Sequence, residues 1–264
     1  MYSKRISLKN TLNTRSLSNL VNKNGKSIKE HLLIRSDALH SIDSEDCKVL
    51  QETYQLKRII DLRCENEALA RPDQELLGVS YILNPILPNE RLGVTRKKDD
   101  KHDFKDFIEE VHRQGEKNDL EYMCNIYREI ITSDFSNQAY AHFLNVLLED
   151  VGGATLWHCS AGKDRAGFAT ILVLYILEFD IETILEDFLA TNIFYQGRVE
   201  ELVSYYGEEY RNTLSNVFGV HRRYVEVLFS EMEQRYGSID AYIENGLGFT
   251  KEKSKKLREL YLGE

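Results

Sequence analysis

Eight consecutive residues, His158-Cys159-Ser160-Ala161-Gly162-Lys163-Asp164-Arg165, put a thiol and a guanidinium at the two ends of one short, small-residue loop. The chemistry this allows is nucleophilic. A thiolate is reactive at neutral pH, and cationic or N–H neighbours favour that form. Five residues separate Cys159 from Arg165, and the planar guanidinium of Arg165 can grip two phosphoryl oxygens at once. Ser160, Ala161 and Gly162 are small enough for the backbone to wrap a phosphate-sized anion. Such a loop transfers a phosphoryl group without a metal, because the cation and the N–H groups carry the charge that builds on the equatorial oxygens. The shorter cysteine loop of a sulfurtransferase is too narrow for phosphate. Burial alone accounts for Cys47 or Cys124, since free cysteine packs well in cores. It does not account for a cysteine flanked by His, Gly, Lys, Asp and Arg.

The elements around this loop must aim it. Ala154-Thr155-Leu156-Trp157-His158 reads as a short buried strand, and Ala166 to Phe179, nearly all apolar, as a buried helix. The unpaired N–H groups and positive dipole end of that helix then point at the loop's ligand. Further strands are expected at His31–Ile34, Arg58–Arg63 and Val79–Leu83. Ser44 is expected to cap a helix reaching about Tyr54, with Cys47, Leu50 and Tyr54 on its inner face. Helices are also expected at Met123–Ile131, Asn137–Glu149, Glu182–Asn192, and near 198–206, 221–236, 238–245 and 250–262. Residues 89–120 are dense in charge but place Phe104, Phe107, Ile108 and Val111 at helical spacing. They read either as a solvated surface helix or as an inserted lid-like segment over the site. The pattern is α/β: a small, mostly parallel central sheet surrounded by helices, in one domain over 1–264.

Bulk properties narrow the class. The 264 residues carry 34 Lys and Arg against 43 Asp and Glu, a net charge of −9. This argues against a nucleic-acid partner that must displace counterions over a wide surface. Cys47, Cys64, Cys124 and Cys159 form no CxxC pair or disulfide framework, which suits a reducing compartment. The polar N-terminus lacks the apolar run of a signal peptide or transmembrane segment, so a cytoplasmic location is expected. Neither a cofactor nor a metal site is expected, as no HExxH or His/Cys pairing occurs.

The loop resembles the His-Cys-x-x-Gly-Lys-Asp-Arg-Thr-Gly signature of the atypical bacterial protein tyrosine phosphatases, the PtpB/LipA-like tyrosine and phosphoinositide phosphatases. Four further stretches are similar to family segments: Leu33–Leu39, Ile60–Arg63 with Glu67, Leu185–Asn192, and Tyr236–Leu247. The resemblance implies a protein-tyrosine-phosphatase-like fold and a phosphomonoesterase working through a phosphocysteine intermediate. Cys159 is then the nucleophile and Arg165 the phosphoryl-binding residue. Asp164 is the general acid, and afterwards the base for hydrolysis. Ser160, Ala161, Gly162, Lys163 and Arg165 bind substrate, with Lys163 at the pocket mouth, where in relatives it is linked to acceptance of phosphoinositides. Asp61 sits beside the loop and orients it, or else serves as the acid. His158 hydrogen-bonds backbone next to the loop. Expected partners are phosphotyrosine proteins or phosphoinositides and inositol phosphates as substrates, and phosphate or another oxyanion in the loop. Arg63 is read as structurally paired, Arg35 is left open, and Cys64 is read as a packed cysteine, with a protective disulfide to Cys159 as the alternative.

The chain departs from the family pattern in three places. Ala166 stands where relatives carry a hydroxyl residue, Asn13-Thr14-Arg15-Ser16 lacks the usual final Asp, and Ser18-Asn19 replaces Gly-Gly. Intact Cys159, Asp164 and Arg165 favour an active enzyme. Ala166 and Ser16 leave open a weakly active or inactive phospho-ligand-binding module.

Overall fold

The computed structural model describes residues 2–88, 105, 108–109, 111–113 and 119–263. Among these, six strands form one sheet in the order β1-β2-β3-β6-β4-β5. They are β1 (Lys4–Arg5), β2 (Arg15–Ser16), β3 (Leu33–Ser36), β4 (Leu56–Asp61), β5 (Ser80–Leu83) and β6 (Ala154–His158). From β3 to β5 the pairings are parallel, while β1 and β2 add an antiparallel edge. Every residue of β6 is buried, as expected of a central parallel strand covered on both faces. Its side chains alternate between two cores. Trp157 joins the large one with Ile60, and Leu156 joins a smaller one with Ile34 and Ile59.

Register decides where the site lies. His158 pairs with Ser36 of β3 and with Asp61 of β4, so the three strands end level. The segment after His158 therefore emerges at the carboxyl end of the sheet, the usual ligand edge of open α/β folds.

Helices surround the sheet: α1 (Ser44–Lys48), α2 (Glu65–Ala70), α3 (Asp119–Thr132), α4 (Asp134–Val146), α5 (Arg165–Ile176), α6 (Ile181–Tyr206), α7 (Arg211–Phe218), α8 (Arg222–Tyr236), α9 (Ile239–Ala241) and α10 (Lys251–Tyr261). Apolar nearly all round, α5 is buried along its length except at Tyr175. No described helix is long and apolar enough to cross a membrane.

Several expectations are corrected. Asp43, not Ser44, caps α1, because its carboxylate accepts the Glu45 and Asp46 N–H groups. That helix then loosens into a π turn over Val49–Thr53, leaving Cys47 only half-buried against the smaller core. The expected helices at 182–192 and 198–206 are one continuous helix, α6, which passes through Gly197. The sequence reading missed α7 altogether. Its Leu214 and Val217 close a third cluster with Val199, Leu202 and Val203 of α6 and with Ile108 and Val111. Most of the expected lid, including Phe104 and Phe107, lies outside the described residues.

A Cβ built at Gly197 meets nothing within 4 Å. Gly197→Ala is expected to stabilise the protein by about 0.5–1 kcal/mol, the helical cost of glycine relative to alanine. Chemical denaturation should show the gain as a raised midpoint with an unchanged slope.

Candidate active site

Between His158 at the end of β6 and Arg165 at the start of α5, the loop's carbonyls are tied from outside. Ser160 O accepts the Ala38 N–H at 3.2 Å, Ala161 O accepts Asn13 Nδ2 at 3.1 Å and Tyr195 Oη at 2.9 Å, and Gly162 O accepts an Arg35 guanidinium nitrogen at 2.7 Å. In a trans peptide the C=O and the next N–H point opposite ways. Outward carbonyls at 160–162 thus turn the Ala161, Gly162 and Lys163 N–H groups inward. Among the described residues no backbone carbonyl takes those three groups, leaving an anion-binding nest beside the N-terminus of α5. Gly162 has a φ of +66°, and a Cβ there would come within 2.4 Å of Ser36 O. Only glycine lets the loop turn against the end of β3.

Arg165 is held from the opposite side by Glu67 of α2. Its two terminal nitrogens lie 2.5 and 3.0 Å from the two carboxylate oxygens, and Ser160 Oγ donates to the same carboxylate at 2.7 Å. Burial alone would push the Glu67 carboxyl up, but Arg165 and Ser160 outweigh it and hold the group below the usual carboxylate range. The guanidinium plane is thereby fixed while Arg165 still faces the cleft. Glu67 belonged to a recognised stretch, yet nothing in the sequence assigned it this role.

Asp164 is the N-cap residue of α5, but its side chain makes no capping bond. Instead Oδ1 accepts Tyr127 Oη at 2.6 Å and Lys163 Nζ at 2.9 Å. Lys163 is corrected from the pocket mouth to the interior. It is 2% exposed, and its ammonium also donates to Gly219 O at 3.2 Å, beyond the end of α7. Cys159, Ala161, Lys163, Asp164 and Arg165 line one cleft of about 570 Å³, whose other walls are Leu87, Met123, Ile126, Ile130, Val217 and Phe218. The sequence-predicted catalytic residues thus converge, while Ser160 and Gly162 shape the loop from its outer side. The walls from α3 and α7 were not foreseen.

A family model described as the tyrosine phosphatase family matches residues 6–263. The chain belongs to the tyrosine phosphatase family. It is 28% identical over 158 residues to the triple specificity protein phosphatase PtpB of Mycobacterium tuberculosis, covering 54% of this chain and 55% of that protein, about half its length. It is 24% identical over 243 residues, 89% of this chain and 81% of the relative, to a protein of Cupriavidus necator named as a putative tyrosine-protein phosphatase.

In this chain Asp61 stands one layer behind the loop. Its carboxylate accepts Arg63 Nε at 3.0 Å, an Arg63 terminal nitrogen at 2.7 Å and Tyr81 Oη at 2.6 Å. It faces the buried His158 ring, at 3.8 Å, rather than the cleft. Burial opposes its charge, yet His158 and Arg63 lower its pKa to about 2. A carboxyl so held is ionised at neutral pH, and it does not line the cleft. His158 Nδ1 lies 3.1 Å from Cys159 O, as expected, and Nε2 lies 2.8 Å from Asp73, a partner the sequence did not suggest. Burial lowers the imidazole's pKa, but Asp61 and Asp73 prevail and raise it. Arg63 also pairs with Asp73 at 3.0 Å. Asp61, Asp73 and His158 offer ligand-like atoms within 4.8 Å of one another, but Arg63 already supplies the positive charge between the two carboxylates.

Beneath the loop Asp187 of α6 takes Arg35 at 2.8 Å and Arg15 at 3.2 Å, and Ser3 donates to it through both N–H and Oγ. Both guanidinium side chains are fully buried. Arg35 and Arg15 are thus structural. The motif that lacks its usual Asp after Arg15 still anchors Arg15 here, through Asp187 and Thr191. Cys64 is buried and accepts the Glu67 N–H at the start of α2, the packed role expected for it.

Two outcomes follow. Asp187→Ala strands two buried guanidinium groups and is expected to cost about 3–5 kcal/mol in urea unfolding. Asp61 has a depressed pKa, so its stabilisation is complete above the ordinary 3.8 and is lost as pH falls through about 2. Unfolding free energies measured across that interval should fall in the wild type and vary less steeply in Asp61→Asn.

Proposed function

We propose that this member of the tyrosine phosphatase family is a cysteine-dependent phosphomonoesterase, acting as one domain through a phosphocysteine intermediate. The observation that carries the proposal is the convergence of Cys159, Asp164 and Arg165 on one cleft floored by inward-turned N–H groups. The nest and Arg165 bind the phosphoryl oxygens, and the Cys159 thiolate attacks phosphorus in line. As the P–O bond breaks, Asp164 gives its proton to the leaving oxygen. In the second step the Asp164 carboxylate takes a proton from the attacking water, and the thiolate leaves. Arg165, preset by Glu67, stabilises the equatorial oxygens in both steps without reorganisation.

The apolar walls from α3 and α7 suit an aryl group, which supports phosphotyrosine as substrate. The mycobacterial relative is named for triple specificity, so phosphoserine, phosphothreonine and phosphoinositides belong in the same substrate panel. A reducing, cytoplasmic setting fits the free cysteines. A second reading, a phospho-ligand-binding module with slow turnover, rests on Ala166. This residue is fully buried in the first turn of α5 and brings no hydroxyl to donate to a departing thiolate.

The test is p-nitrophenyl phosphate hydrolysis in the presence of a chelator. Wild type should turn over and Cys159→Ser should not, while Arg165→Lys should lose about 10²–10³-fold in kcat, as when a preorganised oxyanion donor is removed. No wild-type turnover between pH 5 and 8 would leave only the binding-module reading. A product burst followed by a slower steady rate, with Ala166→Thr raising the steady rate, would place the limiting step at phosphoenzyme hydrolysis.

A further inference from the structure

Asp164 is an N-cap residue that does not cap. An aspartate at this position ordinarily accepts the N–H of the second or third helical residue. Released from that role, its carboxyl could take several rotamers around the cleft. Two donors meet its Oδ1 instead, and one of them, Lys163, is the preceding residue in the loop and moves with it. The other, Tyr127, comes from α3 and donates at 2.6 Å.

Tyr127 is itself tightly constrained. Its side chain is fully buried, stacked on Tyr224 at 4.8 Å between centroids with planes 22° apart, and set edge-on to Phe188 at 6.3 Å. Both burial and the neighbouring Asp164 push its pKa well up, so the hydroxyl remains a donor. A buried tyrosine hydroxyl needs a hydrogen-bond partner, and the Asp164 carboxylate is part-exposed in the cleft. Here the hydroxyl finds its partner there, and Met123, Ile126 and Ile130 of the same helix wall that cleft.

We propose that Tyr127 is the positioning residue for the Asp164 carboxyl. It holds the acid at the leaving-oxygen side of the cleft and stabilises the carboxylate that forms when the proton departs. This rests on the assignment of Asp164 as the general acid. In the first step a sulfur–phosphorus bond forms, the phosphorus–oxygen bond breaks, and the Asp164 proton passes to the leaving oxygen. The negative charge left on Asp164 is then shared by both carboxylate oxygens, one of which accepts the Tyr127 and Lys163 donors. A hydrogen bond to a charged group is stronger than one to a neutral group, so the Tyr127 contact strengthens as the proton moves. That is the condition for a contribution to rate rather than to binding alone.

Leaving-group dependence provides the test. p-Nitrophenolate departs readily without a proton, whereas phenolate needs one. Tyr127→Phe, which keeps the stacked ring, should lower kcat on phenyl phosphate by about tenfold or more, the worth of a charge-assisted hydrogen bond, and lower p-nitrophenyl phosphate turnover by less than about threefold. In an Asp164→Asn background the same change should add nothing. Tyr224→Leu, which removes the stacking partner but leaves the hydroxyl, should lower the melting temperature without altering the ratio of the two rates. Equal losses on both substrates in Tyr127→Phe, or a shifted ratio in Tyr224→Leu, would make Tyr127 a packing residue and overturn the proposal. If Asp164→Asn selectively impairs phenyl phosphate but Tyr127→Phe does not, the role of Tyr127 fails while that of Asp164 stands. Should Asp164→Asn show no leaving-group dependence, the acid assignment falls, and the proposal with it.

Discussion

The buried carboxylate of Asp187 is the constraint on which the rest of the site depends. It sits among groups that water cannot reach and faces the guanidinium groups of Arg15 and Arg35. Burial disfavours its charge, yet the two arginines hold its pKa down. Few arrangements satisfy three buried charges at once, and removing Asp187 would leave two buried cations without their shared counter-charge. The cluster therefore fixes how the N-terminal arm, β2, β3 and α6 meet. Arg35 carries that order outward, because its other end donates to Gly162 O in the phosphate loop. The loop's shape follows from the ion cluster beneath it.

Around the loop the same economy recurs with different partners. Each of three successive carbonyls has an external donor, drawn from β3, from the segment after it, from the N-terminal region and from α6. None of these donors touches the cleft, yet together they determine that N–H groups rather than carbonyls face the anion. Glu67 does for Arg165 what those donors do for the backbone. A guanidinium on a flexible stem loses less freedom on binding a phosphoryl group if its plane is already set. The loop and its arginine are thus ordered by folding itself.

Behind β6 a second network alternates charges: Asp61, Arg63, Asp73 and the raised-pKa His158. With His158 protonated these four charges sum to zero, which is why they can be buried together. Its link to Cys159 is the contact of His158 with the Cys159 carbonyl oxygen. Asp61 therefore reaches the loop only through an intermediary, and its carboxylate is taken up by Arg63 and Tyr81.

Much of this protein was legible from local chemistry. A buried strand, a Cys-x5-Arg loop and an apolar helix are contiguous, so Cys159, Asp164 and Arg165 announce themselves by type and spacing, and the α/β pattern follows from runs of apolar residues. Contiguity is also where that legibility ends. Glu67, Asp73, Tyr127 and Asp187 lie far from the loop in the chain, and each is an ordinary charged or aromatic residue until the sheet and helices bring it to its partner. The short helix α7 escaped notice because its few apolar residues gain meaning only against α6. Lys163, by type a solvent-facing residue, is buried because Asp164 and Gly219 O satisfy it. Sequence alone determined the chemistry of the loop and the order of elements that present it. Which carboxylate reaches the cleft, and which are enclosed behind it, was decided by tertiary structure, since only folding brings distant charges and buried donors to each group.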